Sequence, residues 1–293
     1  MRRPAKAMLN ERTFAQELEL GETISPVRAN LLFAREIAYP ALEPDVVLRD
    51  LEALARIATE VVPITGSQRD RGAALAEWLF GPAGFRGDRD NYQDPRNSYL
   101  NEVLGRKLGL PITLSVVFVA IAERLGIRAQ GVGLPGHFIV QVADGEQVIY
   151  LDPFNGGGAL GLADCERLVS ESTGFQGTFD RRWLKPTPAV EIVGRMLNNL
   201  RNVYTQADEW VLARRTIERL VLVQPDVGSH RRDLGLIHYR LGERGRASQE
   251  LAVYLATSPT ADDADQIRDL REQMLIELGR LNRSGKVSAL AMF

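Results

Sequence analysis

His137 and Asp152 bring an imidazole and a carboxylate into one short segment, GHFIVQVADGEQVIYLDPF. The runs His137–Val142 and Val148–Asp152 are rich in β-branched and aromatic residues and read as strands. Between them, Asp144-Gly145 is a two-residue hairpin signal. A turn centred there sets His137 directly opposite Asp152 in an antiparallel ladder, with Cβ atoms roughly 5 Å apart. A histidine held by an aspartate is the orienting half of many nucleophilic sites: the carboxylate fixes the ring, and the ring takes a proton from a serine or cysteine. The chemistry therefore turns on whether a nucleophile stands beside the pair.

The elements that must position the pair follow from periodicity. Helices are predicted over Val27–Tyr39, Asp45–Val62 and Arg69–Leu79, the first two stopping at or before a proline. Residues 81–96 are polar and rich in Gly, Pro, Asp and Asn and read as a long loop, either functional or a plain surface connection. A short helix is predicted over Ser98–Lys107, capped by Asn97 or Ser98. From Ile112 to Leu125 runs a helix apolar nearly all round, hence buried, closed by Gly126. A strand over Arg128–Leu134 and the hairpin follow, giving an α+β core in which one helix packs on an antiparallel sheet. Asn155–Gly158 reads as a flexible turn, Ala163–Glu171 as a short helix, and Lys185–Pro188 as a domain boundary.

Beyond that boundary the chain repeats. Leu200, Tyr204, Ala213, Ile217, Leu220 and Pro225 recur as Leu234, His238, Ala247, Leu251, Tyr254 and Pro259, always 34 residues on. A period of that length, with small residues at helix crossings and a closing proline, is the tetratricopeptide signature. Gly235 fits the pattern and Arg201 departs from it. Ala261–Leu278 reads as a capping helix, and the tail 284–293 as frayed. Two repeats are fewer than the roughly three a free array needs, so they are expected to lean on the first domain.

The central region resembles the transglutaminase-like core, which is related to papain-type cysteine enzymes. That family sets a cysteine as Gly-x-Cys at the start of a buried helix, ahead of a Gly-Ile pair, with its histidine and an Asp-Pro aspartate on later strands. Gly126-Ile127, His137 and Asp152-Pro153 match these positions. Counting back from Gly126 lands in Gly109-Leu110-Pro111, so Pro111 stands at the nucleophile-equivalent position. Proline suits a first helical turn but carries no attacking atom. The runs Asn97–Asn101, Gly109–Ser115, Leu134–Phe138 and Asp152–Gly157 are similar to those of a bacterial UPF-class family, the Sir-B type, which joins such a degenerate core to tetratricopeptide repeats. The resemblance implies an N-terminal helical region over 1–96, a transglutaminase-like core over 97–187 and an all-α repeat module over 188–283. It implies no defined activity; for some members it implies a link to gene-expression regulation, without a DNA-binding module.

Two relocated nucleophiles are open. Ser115 lies one turn after Pro111 on the same helical face, and is otherwise a small residue at a helix–sheet contact. Cys165 is flanked by Asp164 and Glu166, which would raise its pKa, and otherwise reads as a half-buried helix cysteine. Thr113 reads as a first-turn hydrogen-bonder and is also a cleft candidate, with Asn97, Tyr99 and Asn101, which either line the same cleft or cap and pack. His137 and Asp152 have a structural reading too, as a satisfied polar pair in a closed pocket. In the repeats, the groove-facing candidates are Arg195, Asn198, Asn202 and Gln206, then Arg232, Tyr239 and Arg240. These side chains suit the amides and carboxylates of an extended peptide, and equally a solvated or covered face.

Composition narrows the classes. The 293 residues carry a formal charge of −2, with 45% apolar and 25% charged residues, so no global basic field favours nucleic acid or an anionic membrane. No apolar run approaches the ~20 residues of a membrane span, and the basic start lacks the apolar core of a secretory signal. One cysteine excludes an internal disulfide and a cysteine zinc cluster, and the three histidines lack ligand spacing, so neither metal nor other cofactor is expected. The resulting expectation is a cytoplasmic pseudoenzyme that binds a protein or peptide through its repeat groove. The alternative is a cysteine-protease-like acyl transferase or hydrolase using Ser115 or Cys165 with His137 and Asp152.

Overall fold

The computed structural model describes residues 8–283, so the tail over 284–293 lies outside the described residues. It forms two compact units that divide between Val203 and Tyr204. The division falls inside a helix, later than the expected boundary at Lys185–Pro188, because the N-terminal part of that helix packs into the first unit. Its Met196 Sδ accepts from the buried Asn30 amide at 3.4 Å.

The first unit opens with α1 (Phe14–Leu18), α2 (Pro26–Ile37), α3 (Pro44–Val61) and α4 (Gln68–Phe80). Pro26 and Pro44 start their helices, where the missing N–H costs no intrahelical bond. The loop from residue 81 contains β1 (Arg86–Gly87), which pairs in parallel with β2 (Leu108–Gly109). Between these strands, α5 (Leu100–Arg106) has Tyr99 as its N-cap rather than the expected Asn97 or Ser98. The latter two close a 3-10 turn capped by Asp94. Asn30 anchors this junction, donating to the Ser98 carbonyl at 2.9 Å and accepting from the Leu100 N–H at 2.8 Å.

Helix α6 (Pro111–Arg124) is buried along almost its whole length, as its nearly all-round apolar surface requires. It is followed by an antiparallel sheet in the order β3 (Ala129–Val132), β4 (Ile139–Asp144), β5 (Gln147–Asp152), β6 (Gly158–Leu160). The hairpin closes with Asp144 opposite Gln147, so Gly145-Glu146 forms the turn and the register is two residues away from the expected one. β4 begins only at Ile139, and His137 stands in the connection before it. A slip of two preserves the alternation of faces, whereas a slip of one would invert it. Asn155–Gly158, read as a flexible turn, instead leads through a 3-10 turn into β6. Then come α7 (Leu162–Thr173) and α8 (Ala189–Gln206).

The second unit carries α9 (Trp210–Val223), α10 (Gly228–Arg240), α11 (Arg244–Thr257) and α12 (Ala264–Arg283). The recurrent Ala247, Leu251 and Tyr254 form its core with Ile267 and Met274. Gly235 lets α10 and α11 approach closely: a Cβ there would meet the Leu251 side chain at 2.7 Å. His238, at the repeat position of Tyr204, is buried with Nδ1 2.5 Å from the Glu243 carboxylate, which also receives Arg214 at 2.9 Å. Among the described residues, no helix is long and apolar enough to cross a membrane.

Candidate functional site

The site assembles where α6 begins and β5 ends, within the first unit. Pro111 is the first residue of α6 and is buried. Thr113 organises this start: its hydroxyl accepts from the Leu110 N–H at 2.9 Å and donates to the Asn97 carbonyl at 2.8 Å. His137 follows a turn at Pro135-Gly136, in which Gly136 has φ +72°. A Cβ on Gly136 would come within 2.6 Å of Ser172 and 2.8 Å of Thr173, so only glycine lets this turn pass close to α7.

His137 Nε2 donates to Asp152 Oδ1 at 3.1 Å, and both side chains are buried. The expected pairing is therefore made, but from the connection before β4 to the end of β5 rather than across a ladder pair. The same Asp152 oxygen receives the N–H groups of Phe154 and Asn155, at 3.1 and 3.2 Å. Its other oxygen receives the Asn155 amide at 2.6 Å. Burial alone would raise the Asp152 carboxyl, but the His137 and Asn155 donors more than offset it and hold it below the usual carboxylate range. With Nε2 committed as the donor, Nδ1 is the ring nitrogen left for the cleft.

Two contiguous cavities open onto this histidine. One, of about 140 Å³, is lined by Tyr92, Pro111, Ile112, Gly136, His137, Phe138, Arg195 and Asn199. The other, of about 420 Å³, shares Tyr92, Pro111, Gly136 and His137 and adds Arg89, Phe154, Asn155, Leu168, Glu171 and Ser172. Arg89 lies 5.5 Å from the Phe154 ring centre and hydrogen-bonds Asn155. The long loop of residues 81–96 thus supplies Arg89 and Tyr92. The loop was legible in the sequence but neither residue was; its length and its glycine- and aspartate-rich composition were the available signal. Phe154, Asn155 and Asn199 were missed because they enter the cleft only through the 3-10 turn after Asp152 and through α8.

The remaining candidates are placed differently. Ser115 is fully buried and its hydroxyl donates to the Pro111 carbonyl at 2.7 Å, one helical turn back; it does not line the His137 cavities. It borders a separate apolar pocket with Phe138 and Ile192. Cys165 is buried among Val132, Leu134, Ile139 and Val169. Burial first, then Asp164, Asp152 and Glu166, push its thiol up to about 11. Asn97 and Tyr99 are core residues rather than cleft walls: Asn97 bonds the Asn91 carbonyl and Arg106, and Tyr99 packs on Phe33 and Tyr39. Asn101 is half-buried, with its side-chain oxygen lacking a partner among the described residues, and does not line these cavities.

The groove candidates separate as well. Arg195 belongs to the first unit and points at the cleft, where Nη2 donates to the carbonyls of Leu134 and His137 at 2.7 and 3.3 Å. Asn198 donates to the Gly194 carbonyl of its own helix at 3.0 Å, while Asn202 and Gln206 are exposed. In the second unit, Arg232 is paired with Asp233 and Asp263, each at 2.8 Å, and Tyr239 packs against the core. Arg240 is exposed and lies 4.6 Å from the Trp210 ring centre. Among the described residues no group of three or more His, Cys, Asp and Glu side chains could hold a metal ion.

Comparison with known proteins agrees with this architecture. The transglutaminase-like superfamily matches residues 45–198, and the tetratricopeptide repeat matches residues 200–272. A UPF0162 protein of Xylella fastidiosa is 35% identical over 253 residues, which are 84% of this chain and 89% of that protein. Another, from Pseudomonas aeruginosa, is 30% identical over 75% of this chain and 81% of its own length. Human F-box only protein 21 is 32% identical over 101 residues, 32% of this chain and 16% of that protein.

Proposed function

The chain belongs to the transglutaminase-like superfamily, in company with the UPF0162 proteins that share most of its length, and we propose that it acts by binding a protein or peptide rather than by turnover. The observation that carries the reading is Pro111. A thiolate at a helix start is favoured by the backbone dipole and by a neighbouring imidazole. Pro111, which the resemblance sets at that position, has no proton to give and no lone pair to attack with, and it lines both cavities that His137 lines. The alternative nucleophiles are poorly disposed for acyl transfer. Ser115 is engaged with the Pro111 carbonyl, and Cys165 is buried and protonated at neutral pH. What is left is a polar cleft whose imidazole is oriented by a fully engaged carboxylate, which suits holding a ligand. The tetratricopeptide repeats support a protein partner, because such repeats commonly present a groove to peptides. The proposal includes a regulatory role, since a protein that binds without turnover acts by occupying or holding its partner.

The test is release of p-nitrophenol from activated esters, and of ammonia from a capped glutamine peptide, by the purified full chain. The expected rates equal those of His137→Ala. A rate at least tenfold above that variant would overturn the proposal.

A further inference from the structure

The smaller cavity holds a cation with no anion. Arg195 is half-buried, and no carboxylate pairs with it among the described residues. Glu191, one turn earlier on α8, acts on it only at a distance and is exposed. Burial accordingly lowers the guanidinium from its ordinary value. Its contacts are two carbonyl oxygens and the Phe138 ring, whose centre lies 5.4 Å away. Charges withdrawn from water are ordinarily matched by an opposite charge, and here none pairs with it among the described residues.

Three further polar residues line the same cavity, Asn199, Tyr92 and His137, and the Asn199 amide, the Tyr92 hydroxyl and His137 Nδ1 make no hydrogen bond among the described residues. The first two can donate a hydrogen bond, while Nδ1, with the ring proton on Nε2, can accept one. No acidic side chain lines this cavity; Glu171 borders the larger one. The small cavity therefore combines a half-buried guanidinium with the Asn199 and Tyr92 donors, while the larger one offers apolar and mixed walls from Phe154, Leu168 and Arg89. Because they share Tyr92, Pro111, Gly136 and His137, a chain can run from one into the other.

We propose that the small cavity receives the C-terminal carboxylate of a peptide, with Arg195 and Asn199 as its principal donors, and that the preceding residues lie in the larger cavity. This rests on the reading of the cleft as a peptide-holding site. A terminal carboxylate fits because it is planar and accepts forked donors, and because the rest of a peptide has somewhere to go. A free small carboxylate would leave the larger cavity unused.

The experiment uses the ¹⁵N-labelled full chain and two random tetrapeptide pools, N-acetylated, one with free C-termini and one amidated. The readouts are the backbone amides of Gly136 and His137 and the side-chain amide of Asn199. The free-acid pool is expected to shift these signals, and the amidated pool to require at least about tenfold more peptide, as befits loss of a charge-assisted hydrogen bond. Arg195→Gln should weaken binding by about tenfold or more. Because Arg195 also holds the His137 connection, Asn199→Leu serves as the second variant, with an expected loss of about fivefold and an unchanged fold. Equal binding of both pools would overturn the inference and leave a peptide-binding cleft standing. Failure of both pools to shift the cleft signals would also overturn it, while leaving capture by the repeats untouched. Acetate or inorganic phosphate acting as strongly as the free-acid pool at equal concentration would overturn the peptide assignment in favour of small anions.

Discussion

Removal of the Asp152 side chain is the sharpest probe of how the cleft is built. In Asp152→Ala, four donors lose their acceptor: His137 Nε2, the N–H groups of Phe154 and Asn155, and the Asn155 amide. Loss of the cap on the 3-10 turn is worth about 1 kcal/mol. Leaving the buried His137 N–H unpaired costs a further 1–3 kcal/mol or so. Asn155 is exposed and can turn to water, so its amide adds little. The expected destabilisation of the first unit is about 2–4 kcal/mol. Asp152→Asn keeps one acceptor oxygen and should cost about half as much. Urea unfolding followed by tryptophan emission measures this, in a Trp210→Phe background so that only Trp78 and Trp183 of the first unit report. Acidity supplies an independent check. The folded Asp152 carboxyl lies below its ordinary value, so its contribution is present above pH ~4 and is lost as pH falls through the folded value. The stability gap between the parent chain and Asp152→Asn should therefore shrink below pH ~4. A change under about 0.5 kcal/mol in Asp152→Ala, or a gap that grows in acid, would refute the argument.

Three more outcomes are expected. Cys165, raised to about 11, should react with iodoacetamide at pH 8 roughly 100-fold more slowly in the folded chain than in urea, from ionisation alone; comparable rates would show the thiol to be accessible and ionised. Gly136→Ala should destabilise the first unit by about 2–4 kcal/mol, since a Cβ meets α7 as well as a left-handed φ. Gly145→Ala, with open space around it, should cost only about 1 kcal/mol in the same urea titration. In the second unit, Arg232→Ala breaks pairs with both Asp233 and Asp263 and should lower the unfolding midpoint, whereas Arg240→Ala loses one exposed contact with Trp210, worth about 0.5–1 kcal/mol. Thermal melts distinguish them, and Arg240→Glu is accordingly the better probe of partner capture by the repeats.

The helices, the buried α6, the order of the central strands and the 34-residue repeat were all legible in the chain, because each rests on a local period: 3.6 for a helix face, two for a strand, and self-similarity for the repeats. The partnership of His137 with Asp152 was legible too, although its register was not. Alternation is insensitive to a slip of two, and Asp144-Gly145 and Gly145-Glu146 are competing turns whose choice depends on how β4 and β5 pack. Proline at the head of α6 could be read directly, since its meaning lies in what proline lacks. Which polar residues face the cleft was decided only in three dimensions. Asn97, Tyr99 and Thr113 have the chemistry of a cleft and were drawn into the core, Asn97 by the Asn91 carbonyl six residues back, Thr113 and Tyr99 by the Asn97 carbonyl and the Tyr39 ring farther off in sequence. Arg195 has the chemistry of a repeat groove and was turned into the cleft by the carbonyls before β4. Periodicity says which face of an element is apolar; it does not say which neighbour a polar side chain meets, because that partner comes from another part of the chain.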